Sequence, residues 1–205
     1  MSRGTRVYLE VGGKKTFASA ADWPGWSRSG KNEAAALEAL AAYASRYAPV
    51  AKLARIEFPK GATNFELVEE VAGNASTDFG VPGTPAKSES RPMSPAELER
   101  QVSLLEACWK YLDRVVANAP AELRKGPRGG GRDRDKMFQH VVDAEMEYGK
   151  GIGVRLKSPD RKALLAGLRN PHSDGKWPVA YAIRRTAWHA LDHAWEMEDR
   201  SQPTR

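Results

Sequence analysis

The chain has 205 residues, 41% of them hydrophobic and 28% charged, with a formal net charge of +6 at pH 7. That composition fits a soluble globular protein, and the length allows one domain or two small ones. No apolar run approaches the roughly 20 residues of a membrane span, and the opening MSRGTRVYLEV lacks a signal-peptide core, so a cytoplasmic protein is expected. The single cysteine, Cys108, excludes an internal disulfide and a cysteine-rich zinc site, and is expected as a small buried apolar residue.

Residues 6–11 (RVYLEV) alternate as a strand does, Gly12-Gly13 supplies a two-residue turn, and 14–20 return as the hairpin partner. The run breaks at Asp22-Trp23-Pro24-Gly25-Trp26, which has turn chemistry. Residues 32–47 are Ala-rich and place Leu37, Leu40, Ala41, Ala44 and Tyr47 on one face, predicting a helix that Pro49 stops. Two further strands are predicted at 52–58 and 65–71. This ββαβ order, with the Trp23-Pro24-Gly25-Trp26 corner, Gly30 and the helix opening Asn32-Glu33-Ala34, resembles the small partial RNase H-like domain of the HicB family. HicB proteins are antitoxins that usually add a DNA-binding segment. Neither such a segment nor the acidic metal cluster of a working RNase H is present, so the resemblance implies a fold and a docking surface rather than a nuclease. A generic α+β module packed on its neighbour fits the same pattern.

Residues 73–91 are crowded with Gly, Pro, Ser and Thr and read as a linker. The predicted organisation is an α+β domain at 1–72, a linker at 73–93, a helical domain at 94–200 and a tail at 201–205. Ser94-Pro95-Ala96-Glu97 announces a helix, with Ser94 as cap, Pro95 at the first helical position and Glu97 placed for a capping box. Leu98, Val102, Leu105, Trp109, Leu112 and Val116 follow at spacings of four and three, the stripe of a bundle helix ending at Asn118. The connection at 124–136 (RKGPRGGGRDRDK) is basic and Gly-rich but lacks the Gly-Lys-Ser/Thr of a P-loop. It reads as a solvated loop, and nucleic acid is not the expected partner. Further helices are predicted at 135–148, in a short stretch after Ser158-Pro159-Asp160 that Asn170-Pro171 stops, and at 178–200, together a four-helix bundle.

His189 and His193 stand one turn apart on the last helix, projecting from the same face, the geometry in which two imidazoles can grip one divalent metal. His140 borders the apolar face of the 135–148 helix. Three neutral imidazoles with an open position would make a catalytic type of site. Zinc suits three nitrogens best, with nickel, iron and manganese as alternatives. Asp143, Asp192 and Glu196 are placed to hold the outer ring nitrogens. Glu145, inside the apolar arc of its helix, needs a partner and is the candidate general base. Arg184 and Arg185 are alternatives for an anionic substrate or for plain solvent exposure, and His172, in the loop NPHSDG, reads as a surface residue. Histidines that are merely hydrogen-bonded in a metal-free bundle are the competing expectation.

With His140 in QHVVDAEMEY and His189-Ala-Leu-Asp-His193 in place, residues 94–200 resemble the DinB-like superfamily of four-helix bundles. That family places one metal ligand on its second helix and two, spaced by four, on its last; these fall on His140, His189 and His193. The resemblance implies a divalent metal with water in the open positions, often a homodimer, and relatives that are chiefly thiol-dependent transferases or isomerases using mycothiol, bacillithiol or glutathione. Its implied function is a metal-dependent transferase or hydrolase acting on a small-molecule substrate. The alternative is a non-enzymatic binding or regulatory protein with a HicB-like docking module.

Overall fold

The computed structural model describes residues 4–126 and 130–201. Residues 127–129 of the basic connection and 202–205 of the expected tail lie outside that range.

A four-stranded mixed sheet opens the chain: β1 (Thr5–Val11), β2 (Thr16–Ala20), β3 (Ser27–Gly30) and β4 (Phe65–Ala72), in the order β3-β2-β1-β4. β1 pairs antiparallel with β2 and parallel with β4. Between β3 and β4 lie α1 (Glu33–Ala42), capped by the Asn32 side chain on Ala35 N–H, and α2 (Ala44–Leu53). Strand alternation sends Val7, Leu9, Ala18 and Ala20 into one core with Trp26, Leu40 and Tyr47. Trp26 is fully buried, its ring stacked on Tyr47 with centroids 5.7 Å apart and its indole N–H donating to the Leu40 carbonyl. Burying a ring of that size contributes at most about 5 kcal/mol.

Four details differ from the sequence reading. The β1–β2 turn takes residues 12–15 rather than two glycines, closed by Gly12 N–H to Lys15 O; Asp78 braces it by accepting from the N–H groups of Lys14 and Lys15. β3 was not foreseen, because Ser-Arg-Ser-Gly shows no hydrophobic alternation. The expected single helix breaks at Tyr43, and Pro49 lies inside α2 rather than ending it. An interior proline forfeits one hydrogen bond at a cost of about 3 kcal/mol; Tyr47, Val50 and Ala51, all fully buried, offset it. The strand expected at 52–58 is the end of α2 and an irregular segment from which Ile56 and Phe58 pack on the core.

The stretch expected as a linker is structured. It forms α3 (Ala75–Phe79), which packs back on the sheet, and a 3-10 turn (Lys87–Ser90), which packs on the last helix. Buried Glu10 accepts from the Thr77 hydroxyl and from Gly83 N–H, at 3.0 Å in the latter case, which draws the segment onto β1.

The remainder is helical: α4 (Pro95–Asn118), α5 (Arg134–Gly151), α6 (Arg161–Arg169) and α7 (Val179–Ser201), all packed on one another. Ser94 caps α4 as its sequence requires, accepting from Glu97 N–H at 3.2 Å. The Glu97 carboxylate takes the Gln101 amide instead of completing a capping box. Among the described residues no helix is long and apolar enough to cross a membrane.

The two halves share their hydrophobic core. α2 packs on α4, and Tyr43 meets Trp195 edge-to-face at 5.0 Å. The Trp23–Trp26 corner is seated on α7: Gly25 has φ +92°, and a Cβ there would lie 2.8 Å from Leu191 Cδ1 and 3.1 Å from the Ala187 backbone. Only glycine satisfies both that torsion and that approach.

Candidate metal centre

α5 and α7 lie side by side, and their facing stripes bring three histidines together. Ring centroids are 5.0 Å apart for His140–His189, 5.1 Å for His140–His193 and 4.7 Å for His189–His193. One nitrogen from each ring lies within 4.8 Å of the other two, close enough for the three to bind a metal ion. Zinc at about 2.05 Å from each nitrogen would want them about 3.3 Å apart.

Burial, with the nearby charges of His193 and Arg185 added, pushes the His189 imidazole down to about 2. His140 is also held below its ordinary value, first by burial and then by Arg132 and His193, against the opposing pull of Asp143 and Glu196. Both rings are therefore neutral near pH 7, the form that ligates metals. His189 Nδ1 is buried with no hydrogen-bond partner. Leaving a buried ring nitrogen unmatched costs about 1–3 kcal/mol, and a cation shared by the three rings would offset such a cost.

Of the carboxylates expected to hold ring nitrogens, Glu196 does so. Its Oε2 is 3.1 Å from His193 Nδ1, while Oε1 accepts from Arg200 at 2.7 Å. The hydrogen bond to His193, reinforced by Arg200 against partial burial, keeps this carboxyl below its usual range. A carboxylate on Nδ1 favours the tautomer that leaves the Nε2 lone pair available. Arg200 also donates to the Arg124 carbonyl, tying the loop before α5 to the end of α7.

The other carboxylates are engaged elsewhere. Asp192 pairs with Arg28 of β3 at 2.8 Å, and Asp143 is exposed and accepts from Gln139. Buried Glu145 is gripped by Arg161 of α6, two hydrogen bonds of 3.0 Å, with Asp113 on the same guanidinium. Burial raises the Glu145 carboxyl even so. Lying about 140° around α5 from His140, it joins α5 to α6 and is not among the metal-ligating group. Arg184 is neither solvent-facing nor free for a substrate: it is buried and ion-paired with Glu89 at 2.6 Å. His172 is exposed and Cys108 fully buried, both as expected; burial raises the Cys108 thiol out of the reactive range.

Three neighbours were not assigned to the site from sequence: Arg132, Tyr148 and Arg200. The Tyr148 ring lies 5.7 Å from that of His189. Its position two turns after His140 on the same side of α5 was the available signal. A cleft of about 750 Å³ between α2, α4 and α7 is lined by Arg46, Tyr111 and Glu198 and does not include the histidines.

No protein-family model, curated protein or solved structure matches the chain.

Proposed function

We propose that His140, His189 and His193 hold one divalent metal ion, zinc by preference, with positions left open for water or substrate, and that the chain is a metal-dependent enzyme acting on a small molecule. The observation that carries this reading is the meeting of three imidazoles from two helices, with Glu196 on the outer nitrogen of one and nothing on the buried Nδ1 of another. Histidines serving only as core hydrogen-bonding residues would be expected to have partners. When bound, such an ion lowers the pKa of a coordinated water or thiol and so provides a nucleophile at neutral pH. The chain's own part is to keep His140 and His189 neutral by burial and to fix the His193 tautomer through Glu196.

The ligand set on the second and last helices of the bundle is also what the DinB-like resemblance implies. Within that reading the reaction is a thiol-dependent transfer or a hydrolysis, and a homodimer is the expected assembly. A second reading, a docking role for the HicB-like N-terminal module, is favoured by one feature: β4 is an edge strand whose Leu67 and Val68 are exposed.

The test is metal analysis of untagged protein beside His189→Ala and His193→Ala. Near-stoichiometric metal in the parent, lost in both variants while circular dichroism stays unchanged, is the expected result. A folded parent that contains no metal and takes up neither zinc, nickel, iron nor manganese would overturn the proposal.

A further inference from the structure

Arg185, His189 and His193 follow one another at intervals of four along α7, on a single stripe. The Arg185 guanidinium carbon lies 4.9 Å from the centroid of the Tyr148 ring and 4.8 Å from that of Trp188. Its Nη1 is buried and has no hydrogen-bond partner, and the Nε1 of Trp188 beside it is in the same condition. Among the described residues, Arg28, Arg46, Arg161 and Arg184 meet Asp192, Glu198, Glu145 and Glu89 respectively, whereas Arg185 meets no carboxylate. Both rings it lies against also border His189, Tyr148 with its centroid 5.7 Å and Trp188 with its centroid 6.0 Å from that imidazole, so the guanidinium lies next to the histidine cluster.

A desolvated guanidinium N–H without an acceptor is unfavourable, more so than a neutral donor. Aromatic rings against a guanidinium fix its plane and leave its N–H edge free, the edge that matches a carboxylate in a bidentate pair. The rise of 1.5 Å per residue sets Arg185 and His189 about 6 Å apart along the helix. An acid bridging the two would have its second donor only a few bonds from its carboxylate.

We propose that Arg185 is the anion subsite of the histidine centre, binding the carboxylate of a short organic acid whose sulfur or oxygen donor reaches the metal. This rests on the metal-binding reading above and gives it a substrate class. Tyr148 and Trp188 are the walls that position the guanidinium.

The experiment compares cobalt-loaded parent, Arg185→Gln and Arg185→Lys, titrated with 3-mercaptopropionate and with 2-mercaptoethanol and read by the sulfur-to-cobalt charge-transfer band. The parent should bind the mercapto acid at least about tenfold more tightly than the neutral thiol, the scale of one charge-assisted pair. Arg185→Gln should take up cobalt as the parent does and bring the two thiols within about twofold, with Arg185→Lys between. Equal binding by the parent, or a preference that survives in Arg185→Gln, would overturn the proposal. A second arm needs no metal: propionate, against equal chloride, should raise the melting temperature of metal-free parent and not of Arg185→Gln. If the parent binds no cobalt, this arm alone decides the anion subsite, and no difference there refutes it; the metal-binding reading fails only if zinc, nickel, iron and manganese are refused as well. If Arg185→Gln does not fold, Arg185→Lys carries both arms, with a preference equal to the parent's counting against the proposal.

Discussion

Arg184 and Arg185 are consecutive and about 100° apart around α7, yet they belong to two different regions. Arg184 faces the sheet and the 73–93 segment, where Glu89 takes its charge, the Thr84 carbonyl accepts at 3.1 Å, and Tyr8 and Tyr181 cover its plane. Arg185 faces α5, on the stripe of His189 and His193, where aromatic rings hold its plane and no carboxylate meets its charge. The first region brought its own counter-charge and is architecture. The second gathers buried nitrogens without partners among the described residues, and it is where the proposed metal and anion would bind.

Substitutions can break that contrast. The largest effect should come from Arg184→Ala, which strands the Glu89 carboxylate in a nearly buried position. A loss of about 3–5 kcal/mol is expected in denaturant unfolding, with metal uptake per folded molecule unchanged. A fall in uptake as large as the fall in stability would mean the two faces are not separate. Next comes Glu196→Gln, which keeps the fold but weakens the hold on His193; a ten- to hundredfold weaker metal affinity is expected by calorimetry. Asp192→Asn, on the same stripe but paired with Arg28, should change that affinity by less than about twofold, since no histidine is its partner.

Another small effect sharpens the architectural side. Partial burial works to raise the Glu69 carboxyl, but the backbone N–H groups of Lys87 and Ser88 outweigh it and hold it below its ordinary value. A carboxyl depressed in the folded state contributes stability above its unfolded value of about 4.3 and loses it as pH falls through the folded value. Glu69→Gln should therefore cost less than about 1 kcal/mol at pH 7, and the gap between variant and parent should close in acid unfolding curves. A gap that widens in acid would show that Glu69 does not act through its charge.

What was legible in the sequence follows from how local each signal is. Ser94-Pro95 marks a helix start from within four residues, and the His189–His193 spacing places two rings on one face whatever surrounds them. Periodicity says which side of a helix a residue faces, not what comes to meet it. Asp192 shares the histidine stripe, but Arg28 arrives from β3, a strand whose Ser-Arg-Ser-Gly carries no pattern. The place of Glu145 on an apolar arc demands a partner, but that partner, Arg161, comes from α6. Pro49 is a helix breaker by its own chemistry and was overruled by the burial of Tyr47, Val50 and Ala51. The 73–93 segment has the composition of a flexible connection, and the distant Glu10, Glu69 and Arg184 show why it is ordered.

The seating of Gly25 against Ala187 and Leu191 puts the sheet corner on the turns of α7 that carry His189. Halves joined so closely cannot melt independently without breaking that contact, so thermodynamic linkage spreads a binding event over the whole chain. A ligand held at the histidines at a hundredfold its Kd adds about 2.7 kcal/mol to the stability of everything that unfolds with them. Trp23 and Trp26, near the beginning of the chain, then become reporters for chemistry near its end.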